Sequence, residues 1–166
     1  MKRLTGSVLL ACVLSLLLGS TALGAGKPIK APVVYPPEGF DFPAGLFTGC
    51  DFPIHIDFLT NTEFSITFPA DDNGDVRQNI AGQLIIRITN QIGGIWVDEK
   101  ISGPGVLTFH PDGSLTEVFL GRSMPLQPGA PLRVTSGRVV QEYAADGSST
   151  LGPIHGRTFD VCAAIS

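Results

Sequence analysis

The stretch ISGPGVLTFHPDGSLTEVFLGRS, from Ile101 to Ser123, decides the fold. Two runs of alternating apolar and polar residues, VLTFH and SLTEVFLGRS, flank the letters PDG, and such alternation is typical of β-strands. Proline followed by aspartate and glycine predicts a tight turn. The stretch is therefore predicted to be a β-hairpin with His110 at a strand end, and the turn is favoured over a catalytic role for the histidine.

A second stretch, EYAADGSSTLGPIHGRTF over residues 142–159, repeats the DGS and GR elements of the first. Similar short runs separated by turn residues continue along the chain from Cys50 onward. No window has a helical stripe of apolar residues over three turns. The sequence predicts an all-β domain of eight antiparallel strands at 54–59, 63–68, 82–89, 95–101, 106–110, 114–123, 132–143 and 148–163.

Two cysteines, Cys50 and Cys162, lie near the ends of this domain. In an exported protein such a pair predicts a disulfide. If the bond places the first strand beside the last, the eight strands close as an up-and-down barrel, which is the favoured architecture. A β-sandwich is the alternative.

The N-terminal residues are predicted to lie outside the fold. Lys2 and Arg3 precede an apolar run that ends in small residues, which indicates a secretory signal peptide over residues 1–24 and a secreted, extracellular protein without a membrane span in the mature chain. The five prolines of residues 25–49 predict an extended arm. Residues 50–166 then form the barrel domain.

Charge and motifs exclude several classes of function. Without Lys2 and Arg3 the chain keeps nine basic and fifteen acidic residues, and a net charge of −6 argues against nucleic acid as a partner. The acidic loop at residues 70–75 lacks the glycine position and the final glutamate of a calcium-binding EF-hand. No metal site, cofactor or catalytic motif is predicted, so an enzymatic role is disfavoured.

One constellation of polar residues follows from strand register. If the disulfide sets the pairing of the first and last strands, His55 lies opposite Arg157 and Asp57 lies opposite His155. The last hairpin places Arg138 opposite His155 as well. Two histidines, two arginines and one aspartate on one face could bind an anionic ligand or exchange protons. We take these five residues as the candidate ligand site.

Two other interpretations of this constellation remain open. The opposite face of the first strand carries Phe52, Ile54, Ile56 and Phe58, a pattern that predicts the core, so the polar residues would form exterior cross-strand pairs. A register slip at Pro153 would instead scatter the set. The sequence contains three GR dipeptides, which end at Arg122, Arg138 and Arg157. We expect each glycine to relieve crowding or to allow a β-bulge, and each arginine to pair with a local carboxylate.

The motifs GPG, F-x-PDGS, GR and the closing GR-x-x-DVCA, together with YPPEGF and CDFPI, cover most of the mature chain. This pattern resembles a group of small exported β-rich proteins of high-GC Gram-positive (actinobacterial) bacteria. The resemblance implies export and β architecture and carries over no catalytic residue.

The leading functional hypothesis is a secreted binding module that takes a small apolar or amphipathic ligand, in a pocket near Trp96 or the phenylalanine-rich strands. A cofactor-free isomerase or cyclase that uses the His/Arg cluster is one alternative. A cell-surface interaction protein with a filled core is another.

Overall fold

The computed structural model describes residues 26–166. These residues form twelve β-strands and one short helix, and none of the described helices is long and apolar enough to cross a membrane. The elements are β1 (Ile29–Pro32), β2 (Phe40–Phe42), β3 (Ile54–Asn61), β4 (Phe64–Thr67), β5 (Val76–Ala81), β6 (Leu84–Asn90), β7 (Trp96–Lys100), β8 (Gly105–Phe109), β9 (Leu115–Ser123), β10 (Arg133–Tyr143), β11 (Ser149–Leu151), β12 (His155–Asp160) and α1 (Val161–Ala164).

The strands belong to two antiparallel sheets, which confirms the all-β prediction. Sheet A has eight strands in the order β1-β4-β5-β8-β9-β10, and both β11 and β12 pair with the far edge of β10. Sheet B has four strands in the order β2-β3-β6-β7. The predicted signal peptide lies outside the described residues.

The predicted barrel closure is wrong for this part of the chain. Strand β3 pairs with β2 and β6, whereas β12 pairs with β10, so the first and last predicted strands do not meet in a ladder. The physical reason lies in the proline-rich arm, whose strands β1 and β2 occupy the free edges of β4 and β3. The two sheets have a sandwich-like arrangement, which agrees with the β-sandwich alternative better than with a closed barrel.

The chain passes from one sheet to the other at sharp corners. Only Thr62 and Glu63 separate β3 from β4, and only Gly82 and Gln83 separate β5 from β6. Gly82 has φ +134°, and a Cβ atom there would lie 2.5 Å from both Glu63 Cα and the Thr62 carbonyl oxygen. Because both neighbours are backbone atoms, only glycine allows the two corners to pack this closely.

The main core lies between sheet B and one end of sheet A. Alternation along β3 and β6 buries Ile54, Ile56, Ile86 and Ile88, as the sequence pattern of β3 predicts. Leu132 and Val134 cover them from the β10 side, and Val161 and Ile165 do so from the C-terminal segment.

The disulfide between Cys50 and Cys162 is present, with 5.1 Å between the Cα atoms. Each cysteine is 1% exposed, so the bond is part of the core. It joins the loop before β3 to helix α1, rather than two neighbouring strands. The bond therefore brings a loop and a helix together and does not determine which strands pair. The barrel prediction, which assumed that it places the first strand beside the last, is wrong for this reason.

The repeated DGS elements are turns, as predicted. In the β8–β9 hairpin the His110 N–H donates to Ser114 O, and the Asp112 carboxylate accepts from the Ser114 N–H at 2.9 Å. In the β10–β11 hairpin Asp146 and Ser148 make the corresponding contact at 2.9 Å. The two hairpins share turn chemistry.

The glycines of the three GR dipeptides form one row across sheet A. Gly121 of β9, Gly137 of β10 and Gly156 of β12 lie opposite one another. A Cβ atom on Gly137 would lie 1.9 Å from His155 O, and one on Gly156 would lie 2.0 Å from Ser136 O. The prediction that these glycines relieve crowding is confirmed for Gly137 and Gly156.

Of the three arginines only Arg122 pairs with a carboxylate among residues 26–166, and that carboxylate lies on the other sheet instead of nearby as predicted. Arg122 Nη2 donates to Oε2 of Glu99, which is buried on β7, so this ion pair connects sheet A to sheet B. Arg138 and Arg157 have exposed side chains and form no ion pair among residues 26–166.

Candidate functional site

The five residues of the predicted polar constellation occupy two separate places. Arg138 lies opposite His155 on sheet A, as the last hairpin predicted, and Arg157 is nearby on β12 opposite Ser136. His55 lies on sheet B, where its cross-strand neighbours are Asp41 and Thr89. The structure therefore separates the sheet A residues from His55 and Asp57.

His55 and its carboxylate neighbours face away from the core. Nδ1 of His55 lies 2.8 Å from Asp41 Oδ1, and Nε2 lies 3.0 Å from Asp57 Oδ1. Hydrogen bonding to Asp41, assisted by Asp57, raises the pKa of His55 above its usual value. The contact attaches β2 to the outer face of β3, which is a structural role.

Replacing His55 with glutamine is expected to remove a pH-dependent part of the stability. Because the folded-state pKa of His55 is raised, its contribution is fully present below the unfolded-state pKa of about 6.5 and is lost as the pH rises through the folded-state value. The effect should be below about 1 kcal/mol, since Asp41 and Asp57 are largely exposed.

Urea unfolding of the wild type and of His55→Gln at pH 5.5 and pH 9 measures the contribution of His55 to the free energy of unfolding. The wild type should be the more stable protein at pH 5.5, and the difference should shrink at pH 9. A difference that grows with pH would contradict the assignment.

A cavity of about 190 Å³ lies between the two sheets and is the stronger candidate site. Its walls come from both sheets, because β3 and β6 of sheet B face β5 and β9 of sheet A across it. Most of the lining side chains are apolar. They include Phe40, Ile56, Phe58, Ile80, Ile86 and Phe119.

Three aromatic rings form one wall of this cavity. Tyr35 stacks on Phe58 with ring centroids 4.2 Å apart and planes at 14°. Phe40 meets the same Phe58 edge-on, with centroids 5.6 Å apart and planes at 84°. These are favourable aromatic geometries, so each ring holds the others in place.

Glu63 brings a carboxyl group to the cavity from the corner between β3 and β4. The side chain is 7% exposed, and its Oε2 accepts a hydrogen bond of 2.8 Å from the Tyr35 hydroxyl. Burial raises the pKa of Glu63, and the Tyr35 hydrogen bond opposes only part of that shift. Burial and the Glu63 charge also raise the pKa of Tyr35, which therefore stays a neutral donor.

Glu117 brings a second carboxyl group from β9, two residues before Phe119 on the same face of the strand. Part of its side chain stays accessible, but the protein surrounds the carboxyl and burial raises the pKa of Glu117 to about 7. The Tyr143 hydroxyl donates to Oε2 over a long 3.4 Å. The charge of Glu117 also raises the pKa of Tyr35, and Tyr35, Glu63 and Glu117 all line the same cavity.

A second depression, of about 420 Å³, lies along the edge formed by β1 and β4. It is larger but open to solvent, and its lining includes Lys30, Val33 and Asn61. An open depression buries little of a ligand's surface. The cavity between the sheets is therefore the better candidate, although it is the smaller of the two.

Trp96, one of the two predicted markers of the pocket, lies elsewhere. Its side chain is 52% exposed, and the Arg87 guanidinium lies 3.9 Å from its ring centroid. Arg87 also donates to both carboxylate oxygens of Asp98, at 2.7 and 2.9 Å. The phenylalanine-rich strands, the other predicted marker, do line the cavity.

The sequence interpretation missed Tyr35, Glu63, Glu117 and Tyr143. For Glu117 a signal was present, since in SLTEVFL it occupies the same alternation phase as an apolar phenylalanine. A carboxyl at a core-facing position is rare and points to function or to a specific partner. Tyr35 gave no such signal because it lies in the proline-rich arm.

No group of three or more metal-ligating side chains occurs within residues 26–166. Comparison with known proteins finds no matching family model, no matching curated protein and no matching solved structure.

Proposed function

We propose that this protein is an exported binding module that takes a small, mainly apolar ligand in the cavity between its two sheets. The observation that supports the proposal is the cavity itself, which combines apolar and aromatic walls with two carboxyl groups and one tyrosine hydroxyl. Apolar walls with a few converging polar groups are typical of small-molecule sites.

The cavity volume limits the size of the ligand. About 190 Å³ is somewhat more than the roughly 150 Å³ of an engineered protein cavity that binds benzene. The ligand is therefore expected to be about the size of one substituted ring. Because so few atoms contribute, micromolar to millimolar affinity is expected.

Two features support export. The buried disulfide suits an oxidising compartment, where such bonds persist. The N-terminal charge and apolar run support the predicted signal peptide. Export is therefore part of the proposed function, together with ligand binding.

A second candidate function is acid–base catalysis, as in a cofactor-free isomerase or cyclase. The supporting observation is Glu117, because a carboxyl with a pKa of about 7 beside an apolar cavity can both accept and donate a proton near neutral pH. The catalytic group would then be Glu117 and not the His/Arg cluster, whose residues lie outside the cavity.

Filling the cavity is expected to abolish binding of an apolar probe. In the Ile80→Trp variant the larger side chain should occupy the cavity from β5 and eliminate the toluene-induced shifts of backbone amide resonances on β3, β6 and β9. The protein is titrated with toluene and followed by NMR.

Arg77→Trp, on the exposed part of the same strand, is the matched control and should bind toluene like the wild type. The proposal fails if toluene shifts no resonance of the cavity lining in the wild type. It also fails if the two tryptophan variants bind equally.

A further inference from the structure

We propose that the ligand of this cavity is a small organic cation, an apolar amine whose ammonium group lies between Glu63 and Glu117 and whose apolar part packs against Tyr35 and Phe58. This inference rests on the proposed binding function and adds the chemical class of the ligand. It follows from the charges, the aromatic walls and the unused hydrogen-bonding capacity of the carboxyls.

The ionisable groups of the cavity have one sign. Among the residues that line it, Glu63, Glu117 and Tyr35 are ionisable, and none of the lining residues in the described part of the chain is basic. The nearest arginine in sequence, Arg122, directs its guanidinium to Glu99. An anionic ligand would meet two carboxyls and no counter-charge, whereas a cation would meet two partners.

The carboxyl oxygens retain acceptor capacity. The Tyr35 hydroxyl has one proton, which it donates to Glu63 Oε2 at 2.8 Å, and Tyr143 reaches Glu117 only at 3.4 Å. A carboxylate can accept about four hydrogen bonds, and an ammonium group donates three. A primary ammonium ion therefore matches what the two carboxyls still offer.

The aromatic wall suits the same class of ligand. Phe58 stacks on Tyr35 and meets Phe40 edge-on, and all three rings line the same cavity as both carboxyls. Aromatic faces attract cations and also pack against apolar groups. The net charge of −6 in the mature chain further favours the approach of a cation.

Binding of an amine must be linked to protons. Burial raises the pKa of both Glu63 and Glu117, so ionising them in this cavity is costly. A cationic ligand offsets that cost and favours their deprotonation. Affinity should therefore rise as the pH increases from 5 to 8, a range in which an alkylamine stays protonated as a lysine does.

The test compares benzylamine with benzyl alcohol, a neutral probe of nearly the same shape, by NMR titration of the full mature chain. At pH 8 benzylamine should bind at least tenfold more tightly than benzyl alcohol. The advantage should shrink at pH 5 and in Glu117→Gln, while benzyl alcohol binding should change little in that variant. Glu63→Gln provides a second variant if Glu117→Gln does not fold.

Glu142→Gln removes an exposed carboxyl of β10 and is the matched control, with benzylamine binding expected at the wild-type level. If both probes bind the cavity equally, the ligand class is wrong and the binding module remains. If neither probe perturbs the cavity, both proposals are overturned.

Discussion

Removing the Cys50–Cys162 disulfide should lower the free energy of unfolding by about 4 kcal/mol. The bond joins residues 112 positions apart, so it restricts almost the whole folded chain in the unfolded state. Both sulfur atoms are buried in the main core, and their loss also leaves less apolar packing there. The double variant Cys50→Ala/Cys162→Ala is the appropriate protein, since it leaves no free thiol within residues 26–166.

The measurement is urea unfolding of the variant and of the wild type under oxidising and reducing conditions. The variant and the reduced wild type should have similar midpoints, well below that of the oxidised wild type, and the variant should not respond to the reductant. A loss of less than about 1 kcal/mol would mean that the unfolded chain stays compact around the cysteines without the bond.

Substituting alanine for Gly137 is expected to cost more than about 3 kcal/mol. The new Cβ would lie 1.9 Å from His155 O and 2.9 Å from Gly156 Cα. Both neighbours are backbone, and β10 is held by β9 on one side and β12 on the other, so the strands must separate to accept the methyl group. The φ of +152° adds a conformational cost.

Gly129→Ala separates the two contributions. Gly129 also has a positive φ, of +81°, but a Cβ there meets nothing within 4 Å, so its substitution should cost only the conformational term of roughly 1–2 kcal/mol. Thermal and urea unfolding of both variants give the comparison. Equal losses at the two positions would show that close approach of β10 and β12 does not determine the requirement for glycine at Gly137.

Much of the fold was predictable because local rules act on few residues at a time. The turn at residues 110–113, the core alternation on β3 and the pairing of Arg138 with His155 each depend on one hairpin or one strand. The disulfide followed from the two cysteines that remain after the predicted signal peptide. Each of these predictions is confirmed by the structure.

The long-range pairing was not predictable in the same way. Strands β1 and β2 lie in a segment with five prolines and have only four and three residues, too few to give an alternation signal. Strand β5, with the sequence VRQNIA, mixes polar and apolar residues, so the alternation pattern predicts no strand there. Because β1, β2 and β5 are absent from the predicted set of strands, the predicted neighbours of β3 differ from the observed ones, which are β2 and β6.

The predicted polar constellation is wrong for the same reason. The polar constellation depended on a ladder between β3 and β12 that the arm prevents, whereas the two cavity carboxyls come from a corner and from the middle of β9. Glu63 and Glu117 are 54 positions apart, and nothing in the sequence brings them together. Only the packing of the two sheets does so.

The arm that supplies β1 and β2 also affects whether the edges of the two sheets can pair with strands of other chains. Each of these short strands covers one side of a sheet that would otherwise present a row of free N–H and C=O groups to other chains. Proteolytic trimming of the arm would expose β3 and β4 together, and both could then recruit a strand from another copy. With the arm in place, these edges of β3 and β4 are less available to another chain, and the prolines of the arm limit its own ability to pair further.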